Sequence, residues 1–488
     1  MKKICYILFL CGLTLTSCSD FLEEQSQSEV IPKTTADFSE LLLGAGYPDH
    51  YGPNLSFLEY LDDDCSLYWT YTSWRGEADY YVGENNAVSY FNSYTWQPTQ
   101  SDYDGFGSEI NTEATGTVYY QFYNKIKGCN AVLDLIDDAI GTKDNRDRVK
   151  AEALAVRALL YFQLVNIYGE PYNYNKQAPG VPLKLDANLG QDAIPRSSVA
   201  EVYEKVILPD MLMAAKLMDP LPLLRKNYRI NQPAIHILLS RIYLYMEQYD
   251  KCVEEANKAI AQGSRLFDLT KEFDFENTLP SQFGILSYNN PEVEWSFGAS
   301  TRAENVNYKT ANSAAFQALW DQDNDLRYQF FGLGEYTWGG SVHKPYGSGI
   351  CQAVRSCEAW LNKMEAEALL GNDAAAAKDL NDFCKTRILN YSNTNATGDQ
   401  LLKLIREERR RELCFEGHRW FDLRRQGMPE ITHEYKYEKG GELYLFTLKH
   451  NDPMYTLPLP NSLFKLNTSL IQNDCRNSEE RVGTVINN

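Results

Sequence analysis

The sequence is short of positive charge. Of its 488 residues, 47 are Lys or Arg and 66 are Asp or Glu, which gives a net charge of -19 at pH 7. Nucleic-acid binding depends on Lys and Arg side chains that neutralise phosphates, so this balance predicts no nucleic-acid partner. It also disfavours anionic lipid surfaces and phosphate-rich ligands, although an acidic protein can still carry a local basic patch.

Motifs that mark enzymes and metal sites are also missing. The sequence has no G-x-S-x-G, no P-loop, no G-x-G-x-x-G, and no C-x-x-C or H-x-x-x-H spacing. We therefore predict no catalytic residue, no cofactor and no metal site. A glycoside hydrolase that uses two carboxylates stays open as an alternative, because 66 acidic residues make carboxylate pairs unavoidable.

Two short acidic runs are weighed as calcium sites. Asp321, Asp323 and Asp325 match the first three ligand positions of an EF-hand loop. Leu326 stands where that loop needs its glycine, so the match is incomplete. The run 62–64 is Asp-Asp-Asp, which can hold calcium or accept hydrogen bonds from sugar hydroxyls. Short acidic runs are more often a solvated surface, and this is the interpretation that we prefer for 62–64.

The apolar run at the start of the chain is too short to span a membrane. Lys2 and Lys3 precede it, and residues 4–15 are mostly apolar, which is typical of an export signal over residues 1–17. The run ends in Leu-Thr-Ser-Cys, which resembles the bacterial lipobox, whose cysteine is acylated. Cys18 is therefore the predicted lipid anchor. A plain secretory signal with an incidental cysteine is the alternative.

The remaining cysteines form no recognisable framework. Beyond the signal and Cys18, eight are left: Cys65, Cys129, Cys252, Cys351, Cys357, Cys384, Cys414 and Cys475. Several lie in apolar helical patterns, and free cysteine is among the most buried residue types, so we predict mostly buried thiols. A disulfide is possible in an exported protein, but spacing alone does not define a pair.

Helical periodicity dominates the middle of the chain. Apolar residues spaced by threes and fours predict a helix from Tyr119 to Ile140 and a partner that Gly169 ends. Caps and periodic patterns predict further helices from a capping box at Ser198 and Glu201, from Asn231 to Met246, and over 251–260, 350–370 and 374–388. Consecutive helical hairpins of this size resemble tetratricopeptide repeats.

Other regions lack this periodicity. Residues 21–55 are polar and turn-rich and are predicted to form a tether, whereas residues 265–349 are predicted to form an irregular lobe. Aromatic residues, 13% of the whole chain, crowd the irregular stretch 68–106. Planar rings match the C–H faces of sugars, and polar neighbours bond their hydroxyls. The predicted ligand-binding residues are Trp69, Trp74, Arg75, Trp96, Trp320 and Trp338; the alternative is that these tryptophans belong to the core.

The stretch 399–427 predicts a helix, a C-cap at Gly417 and a second short apolar cluster, together an elbow that clamps two elements. A catalytic Glu416 or His418 is the alternative to this structural interpretation. Opposite charges predict exposed ion pairs within the helix, each worth about 0.2–0.5 kcal/mol. The pairs are Glu407 with Arg411, Glu408 with Arg411, and Arg409 with Glu412.

Residues 409–427, R-R-R-E-L-C-F-E-G-H-R-W-F-D-L-R-R-Q-G, closely resemble the C-terminal signature of the SusD/RagB family of Bacteroidetes outer-membrane lipoproteins. Further resemblance lies in A-E-A-L-A-V-R-A-L-L-Y-F-Q-L-V-N-I-Y-G at 151–169 and E-A-W-L-N-K-M-E-A-E-A-L-L-G at 358–371. Asp325-Leu326-Arg327 is similar to a D-x-R signature of the same family. The resemblance thus extends over the whole layout of the chain.

This resemblance implies a mostly α fold in which tetratricopeptide-like hairpins form a superhelical scaffold, with irregular loop-rich insertions and a few short strands. It implies an N-terminal half over 18–220 and a C-terminal half over 221–488. It also implies an outer-membrane, surface-exposed lipoprotein that binds a glycan and delivers it to a SusC-like TonB-dependent transporter. A RagB-like peptide cargo is the alternative.

Overall fold

Helical hairpins form most of the structure, a computed structural model that describes residues 32–49, 52–53, 55–73, 76–81, 87–102, 117–188, 190, 193–298, 311–333, 352–437 and 441–486. Its helices are α1 Thr35–Leu41, α2 Ala87–Tyr94, α3 Val118–Leu133, α4 Lys143–Tyr168, α5 Tyr172–Asn175, α6 Val199–Val202, α7 Leu208–Met218, α8 Gln232–Tyr245, α9 Tyr249–Ala261, α10 Leu269–Glu272, α11 Pro280–Phe283, α12 Ala314–Gln317, α13 Leu326–Phe330, α14 Ser356–Leu369, α15 Asp373–Lys385, α16 Gly398–Glu412, α17 Arg419–Arg425 and α18 Leu463–Leu466. Short turns join α3 to α4, α8 to α9 and α14 to α15, and each pair packs side by side. The predicted mostly helical fold with tetratricopeptide-like hairpins is confirmed.

Short strands connect distant parts of the chain. They are β1 Cys65–Ser66, β2 Tyr68–Ser73, β3 Gly76–Tyr81, β4 Val293–Phe297, β5 Ala311–Asn312, β6 Gln352–Arg355, β7 Ile431–Lys436, β8 Leu443–Leu448 and β9 Thr484–Ile486. The pairs β1–β5, β2–β3 and β4–β6 are two-stranded and antiparallel, and β7-β8-β9 form a three-stranded antiparallel sheet. The pair β1–β5 therefore joins the first third of the chain to the 265–349 region. The pair β4–β6 joins that region to the segment that leads into α14.

Several predicted features fall outside the described residues. These are the signal over 1–17, Cys18, Trp74, Arg75, Trp338 and Cys351. Trp69 lies in β2, but its side chain is also outside the description. None of the helices that the structure describes combines the length and the apolar character needed to cross a membrane.

Within the segment predicted to form a tether, residues 32–49 are folded onto the core instead. Thr34 caps α1 through a capping box with Asp37, and Phe38 and Leu42 are buried in the main core. A Cβ on Gly128 of α3 would lie 2.2 Å from the carbonyl oxygen of Ala45, so only glycine permits this close approach. The composition of 32–49 is polar, but its few apolar residues are spaced to meet α3.

The central helices follow most of their sequence signals, although the helix predicted from Tyr119 to Ile140 ends at Leu133. The side chains of α4 are nearly all buried from Val149 to its end, and Gly169 caps it as predicted. Ser198 and Glu201 form the predicted capping box, and Asn231 caps α8, with Pro233 in its first turn. The predicted helix 350–370 is wrong at its start, because Gln352–Arg355 form β6 against β4. All seven cysteines in the described part of the chain are buried and free, as predicted: Cys65, Cys129, Cys252, Cys357, Cys384, Cys414 and Cys475.

Candidate functional site

The helix α16 carries buried charges, and the prediction of exposed ion pairs is wrong for it. Glu408 is 0% exposed, and Arg409 and Glu412 are each 1% exposed. Arg409 lies 2.8 Å from Asp422 on α17 instead of pairing with Glu412. Only the pair of Arg411 with Glu408, at 2.7 Å, is formed as predicted. The partners of these charges come from other elements, which helix spacing alone does not reveal.

Arg355, the last residue of β6, is the centre of a buried ionic cluster. Its guanidinium lies 2.9 Å from Glu292, 2.9 Å from Glu412 and 2.6 Å from Glu416. Glu416 and His418, the two residues weighed as catalytic, are 9% and 7% exposed. Both line a space of only about 20 Å³, which is too small for a sugar, and Glu416 is already paired with Arg355, so the geometry supports the structural interpretation of the elbow.

The D-x-R motif joins the same cluster. Arg327 is fully buried and lies 2.7 Å from Asp325 and 2.6 Å from Glu408. Burial on its own raises the pKa of Glu408, but Arg327 and Arg411 outweigh it and hold that pKa at about 2. Asp325 also caps α13, so it acts as an arginine partner and a cap in this structure.

The acidic turn 62–64 is buried as well, which corrects the predicted solvated surface. Asp62 and Asp64 are 4% and 1% exposed. Arg419 grips both oxygens of Asp63, at 2.7 and 2.9 Å, and Arg410 donates to Asp64 at 2.6 Å. Burial tends to raise the pKa of Asp63, but Arg419 outweighs it and lowers that pKa to about 2. This turn leads directly into β1 and the β2–β3 hairpin, so the arginines of α16 and α17 position the aromatic-rich region.

His433, together with the rings of Tyr94 and Trp96, packs against the turn 62–64 on its buried side. The imidazole stacks between Tyr94 and Trp96, with ring centres 4.1 and 4.2 Å apart. Its two nitrogens lie 2.7 Å from the main-chain oxygens of Tyr94 and Asp62. Burial is the main reason that the pKa of His433 falls to about 4, although both carbonyls favour the charged ring. Trp96 is 0% exposed and its indole donates to Leu61, which argues against a ligand contact at Trp96.

An open groove of about 450 Å³ runs along the outer face of α16, and we call it the α16 groove. It is lined by Leu319, Asp399, Leu402, Lys403, Arg406, Glu407, Arg410 and Arg419. Its volume lies within the roughly 300–1,000 Å³ typical of ligand sites. Because Arg410 and Arg419 also hold the turn 62–64, the groove and the support of the aromatic-rich region share two side chains.

Among the described residues, two groups of three potential metal ligands lie close together: Glu292, Cys357 and Glu412, and the turn 62–64. Glu292, Glu412, Asp63 and Asp64 already bond to arginine guanidiniums, and Asp62 accepts a hydrogen bond from the main-chain N–H of Asp64. The arginines supply the positive charge that a cation would otherwise provide. Burial raises the pKa of the Cys357 thiol, which makes a metal-ligating thiolate still less favourable.

A second open pocket, of about 230 Å³, is mainly apolar. It lies between the start of α3, the segment 182–194 and the C-terminal segment around α18. Tyr120 and Leu466 leave much of their surface exposed at this pocket. The Tyr123 hydroxyl in its wall donates to the carbonyl oxygen of Pro182.

Of the predicted ligand-binding residues, only Trp96 and Trp320 have described side chains, and the structure does not bring them together. Trp320 is 7% exposed, packs on Phe316 at 5.7 Å and follows Leu319 of the groove wall. The sequence interpretation missed the α16 groove. The available signal was the spacing of Lys403, Arg406 and Arg410, which places three cations on one helix face.

Comparison with known proteins gives two family matches. Residues 20–244 match a SusD-like family described as starch-binding and associating with the outer membrane. Residues 291–475 match the SusD family. A curated SusD-like protein from Formosa agariphila is 24% identical over 507 residues, covering 87% of this chain and 92% of that protein.

Solved structures show the same fold. A SusD-like carbohydrate-binding protein from Bacteroides vulgatus has a TM-score of 0.67 and 23% identity, covering 90% of this chain and 97% of that one. A SusD superfamily protein from Bacteroides thetaiotaomicron has a TM-score of 0.68 and 22% identity, covering 90% and 99%. At these identities the likeness establishes the fold alone.

Proposed function

The chain belongs to the SusD/RagB family, and we propose that it is a cell-surface lipoprotein of the outer membrane that binds a glycan and delivers it to a SusC-like TonB-dependent transporter. The observation that carries this proposal is the pair of family matches over 20–244 and 291–475, the first described as starch-binding. The carbohydrate-binding relative from Bacteroides vulgatus supports the same ligand class.

We place the ligand in the α16 groove and against the aromatic residues that extend from the turn 62–64. The proposed aromatic contacts are Trp69, Trp74 and Trp338, with Trp320 beside the groove and Arg75 as a polar neighbour. Trp96 supports this region from the core. An open site of this kind favours weak binding, with a Kd of about 1 µM to 1 mM, which lets the ligand pass to the transporter.

The proposed activity is binding without hydrolysis. Burial raises the pKa of Asp62, whereas Arg419 lowers that of Asp63, a contrast that glycosidases exploit in acid and base pairs. Asp62 is only 4% exposed, however, and its carboxylate accepts from the main-chain N–H of Asp64 within the turn, so it is not placed to protonate a glycosidic oxygen. Product-free chromatograms after prolonged incubation with any bound glycan are the expected result.

The proposed anchor is the acylated Cys18. A Cys18→Ala variant is expected to leave the membrane fraction and to lose metabolic lipid labelling, because acyl chains provide the membrane affinity. Unchanged fractionation and labelling would contradict the anchor. Co-purification of the parent protein with a large β-barrel protein in mild detergent tests the transporter partnership.

A glycan-array screen of the mature, lipid-free protein tests the main proposal, followed by calorimetry on each glycan that binds. Saturable binding of at least one oligosaccharide, recovered intact, is expected. Binding of peptides but of no glycan would overturn the proposal in favour of a peptide cargo. Release of shortened sugars would overturn the absence of hydrolysis.

A further inference from the structure

We propose that the α16 groove binds the anionic groups of an acidic glycan, so that the natural ligand carries carboxylate or sulfate ester groups. This inference rests on the proposed function, because it names the class of carbohydrate that the same site takes. It rests on Arg406, Arg410 and Arg419. Each is held in place by a carboxylate, and each keeps guanidinium N–H donors that these carboxylates do not occupy.

Two of these arginines are fixed by the turn 62–64. Arg419 donates from Nε and Nη2 to the carboxylate of Asp63 at 2.7 and 2.9 Å. Arg410 donates from Nε to Asp64 at 2.6 Å and from Nη2 to the carbonyl oxygen of Asp63 at 3.1 Å. A guanidinium has five N–H donors, so the Nη1 donors of each side chain are still available. Within the described ranges, neither Nη1 has a hydrogen-bond acceptor.

The third arginine, Arg406, is held by a buried carboxylate that it shares with another arginine. Glu365 accepts from both terminal nitrogens of Arg425, at 2.9 and 2.7 Å, and also from Nε of Arg406 at 3.0 Å. Arg425 and Arg409 in turn share Asp422, each at 2.8 Å. Three arginines therefore share two carboxylates behind the groove, and the groove lining itself adds Lys403 and the two carboxylates of Asp399 and Glu407.

Of these three arginines, Arg406 is the accessible one. Its side chain is 30% exposed, whereas those of Arg409 and Arg425 are 1% and 6% exposed. Lys403, one helical turn away, is 76% exposed, and its ammonium lies 3.9 Å from Glu407, the outer limit of an ion pair. Arginines held in place by buried carboxylates lose little entropy when they bind an oxyanion, and such charge-assisted bonds are strong.

The rest of the lining favours a sugar acid over a bare inorganic anion. Asp399 and Glu407 place carboxylates in the groove, where they accept hydrogen bonds from hydroxyls but repel a ligand that carries charge alone. Leu319 and Leu402 add apolar surface for the C–H face of a ring. A uronate or a sulfated sugar offers an anionic group, hydroxyls and an apolar C–H face in one ligand.

The test is calorimetric titration with three probes of equal length: an oligogalacturonide, a sulfated galactan oligosaccharide and a neutral malto-oligosaccharide. The proteins are the parent, Lys403→Gln/Arg406→Gln and the matched control Arg225→Gln. Arg225 is 35% exposed and pairs with the buried Glu294, so it resembles Arg406 but lies outside the groove. Circular dichroism checks that each variant folds, and Arg406→Lys tests whether a charge without the guanidinium restores binding.

We expect the parent to bind one of the two acidic probes at least tenfold more tightly than the neutral probe, and more weakly as salt is added. The double variant should lose at least tenfold in affinity for that probe, whereas Arg225→Gln should stay within twofold of the parent. The carboxylated and sulfated arms identify which group is recognised. Tight binding of the neutral probe alone, or equal affinity in the double variant, would overturn this inference and leave the proposed function standing. If no probe binds and the glycan array shows no binding, both this inference and the proposed function are contradicted.

Discussion

Two helices of this protein bury side chains to the same depth but hold them in opposite ways. Nearly every side chain of α4 from Val149 onward is buried, and the apolar ones, such as Leu160 and Ile167, join the main core at 0% exposure. In α16, Glu408, Arg409 and Glu412 reach the same depth through arginine and carboxylate partners. Apolar burial stabilises without direction, whereas a buried ion pair fixes the relative position of two elements. Helix α4 therefore supplies stability, whereas α16 fixes the geometry beside the groove.

The largest expected effect comes from breaking the ionic side of this comparison. Arg355→Met removes the cation that three buried carboxylates share, Glu292, Glu412 and Glu416. Removing one partner from a buried ion-pair network costs about 3–5 kcal/mol, and urea denaturation should show a loss of this size. Lys378→Ala, which removes an exposed partner of Asp382, serves as the control and should leave the midpoint unchanged. Equal midpoints for Arg355→Met and the parent would show that the cluster does not hold the fold.

A somewhat smaller loss is expected on the apolar side. Leu160→Ala in α4 creates a cavity at a fully buried position. Such substitutions cost about 2–5 kcal/mol, so a loss near 3 kcal/mol is expected in the same urea experiment. A loss below about 1 kcal/mol would mean that α4 can collapse around the cavity and is packed less tightly than its burial indicates.

A pH titration extends the comparison to a buried charge that lies outside the ionic cluster of α16. His236 on α8 lies 2.6 Å from Glu255 and 3.0 Å from Asp219. Burial favours the neutral ring, but the two carboxylates outweigh it and raise the pKa of His236 to about 9. The unfolded pKa is about 6.5, so this contribution is complete below about pH 6.5 and is lost as the pH rises through 9.

We therefore expect the parent to lose about 2–3 kcal/mol between pH 6.5 and 9.5, measured as urea midpoints. His236→Gln should be less stable at pH 6 and should lack most of this alkaline loss. His433 behaves in the opposite sense, since its lowered pKa of about 4 makes its contribution disappear as the pH falls from 6.5 through 4. A parallel pH profile for His236→Gln and the parent would contradict the assignment.

The sequence predicted local features well and long-range pairing poorly. The capping box at Ser198 and the helix end at Gly169 depend on a few neighbouring residues, and both were predicted correctly. The burial of the turn 62–64 was not, because the partner of Asp64 is Arg410, which is 346 positions away. A run of three aspartates looks solvated until the arginines that reach it are known.

The same reason limits what was predicted about the site. Aromatic enrichment directed attention to the region around Trp96, but the ring of Trp96 is enclosed between other side chains in the core. Enrichment identifies a region and does not distinguish a supporting ring from an exposed one. The groove depends on α16, and helix spacing relates the charges of α16 only to neighbours along the same helix.

The most direct test of the account separates stability from recognition. It is a calorimetric titration of one acidic oligosaccharide into the parent, Arg406→Gln and Leu160→Ala at a temperature where all three are folded. The account predicts that Arg406→Gln weakens binding at least fivefold with little change in unfolding free energy. It predicts that Leu160→Ala loses about 3 kcal/mol of stability but binds within twofold of the parent. Unchanged binding in Arg406→Gln, or an equal loss of affinity in both variants, would contradict it.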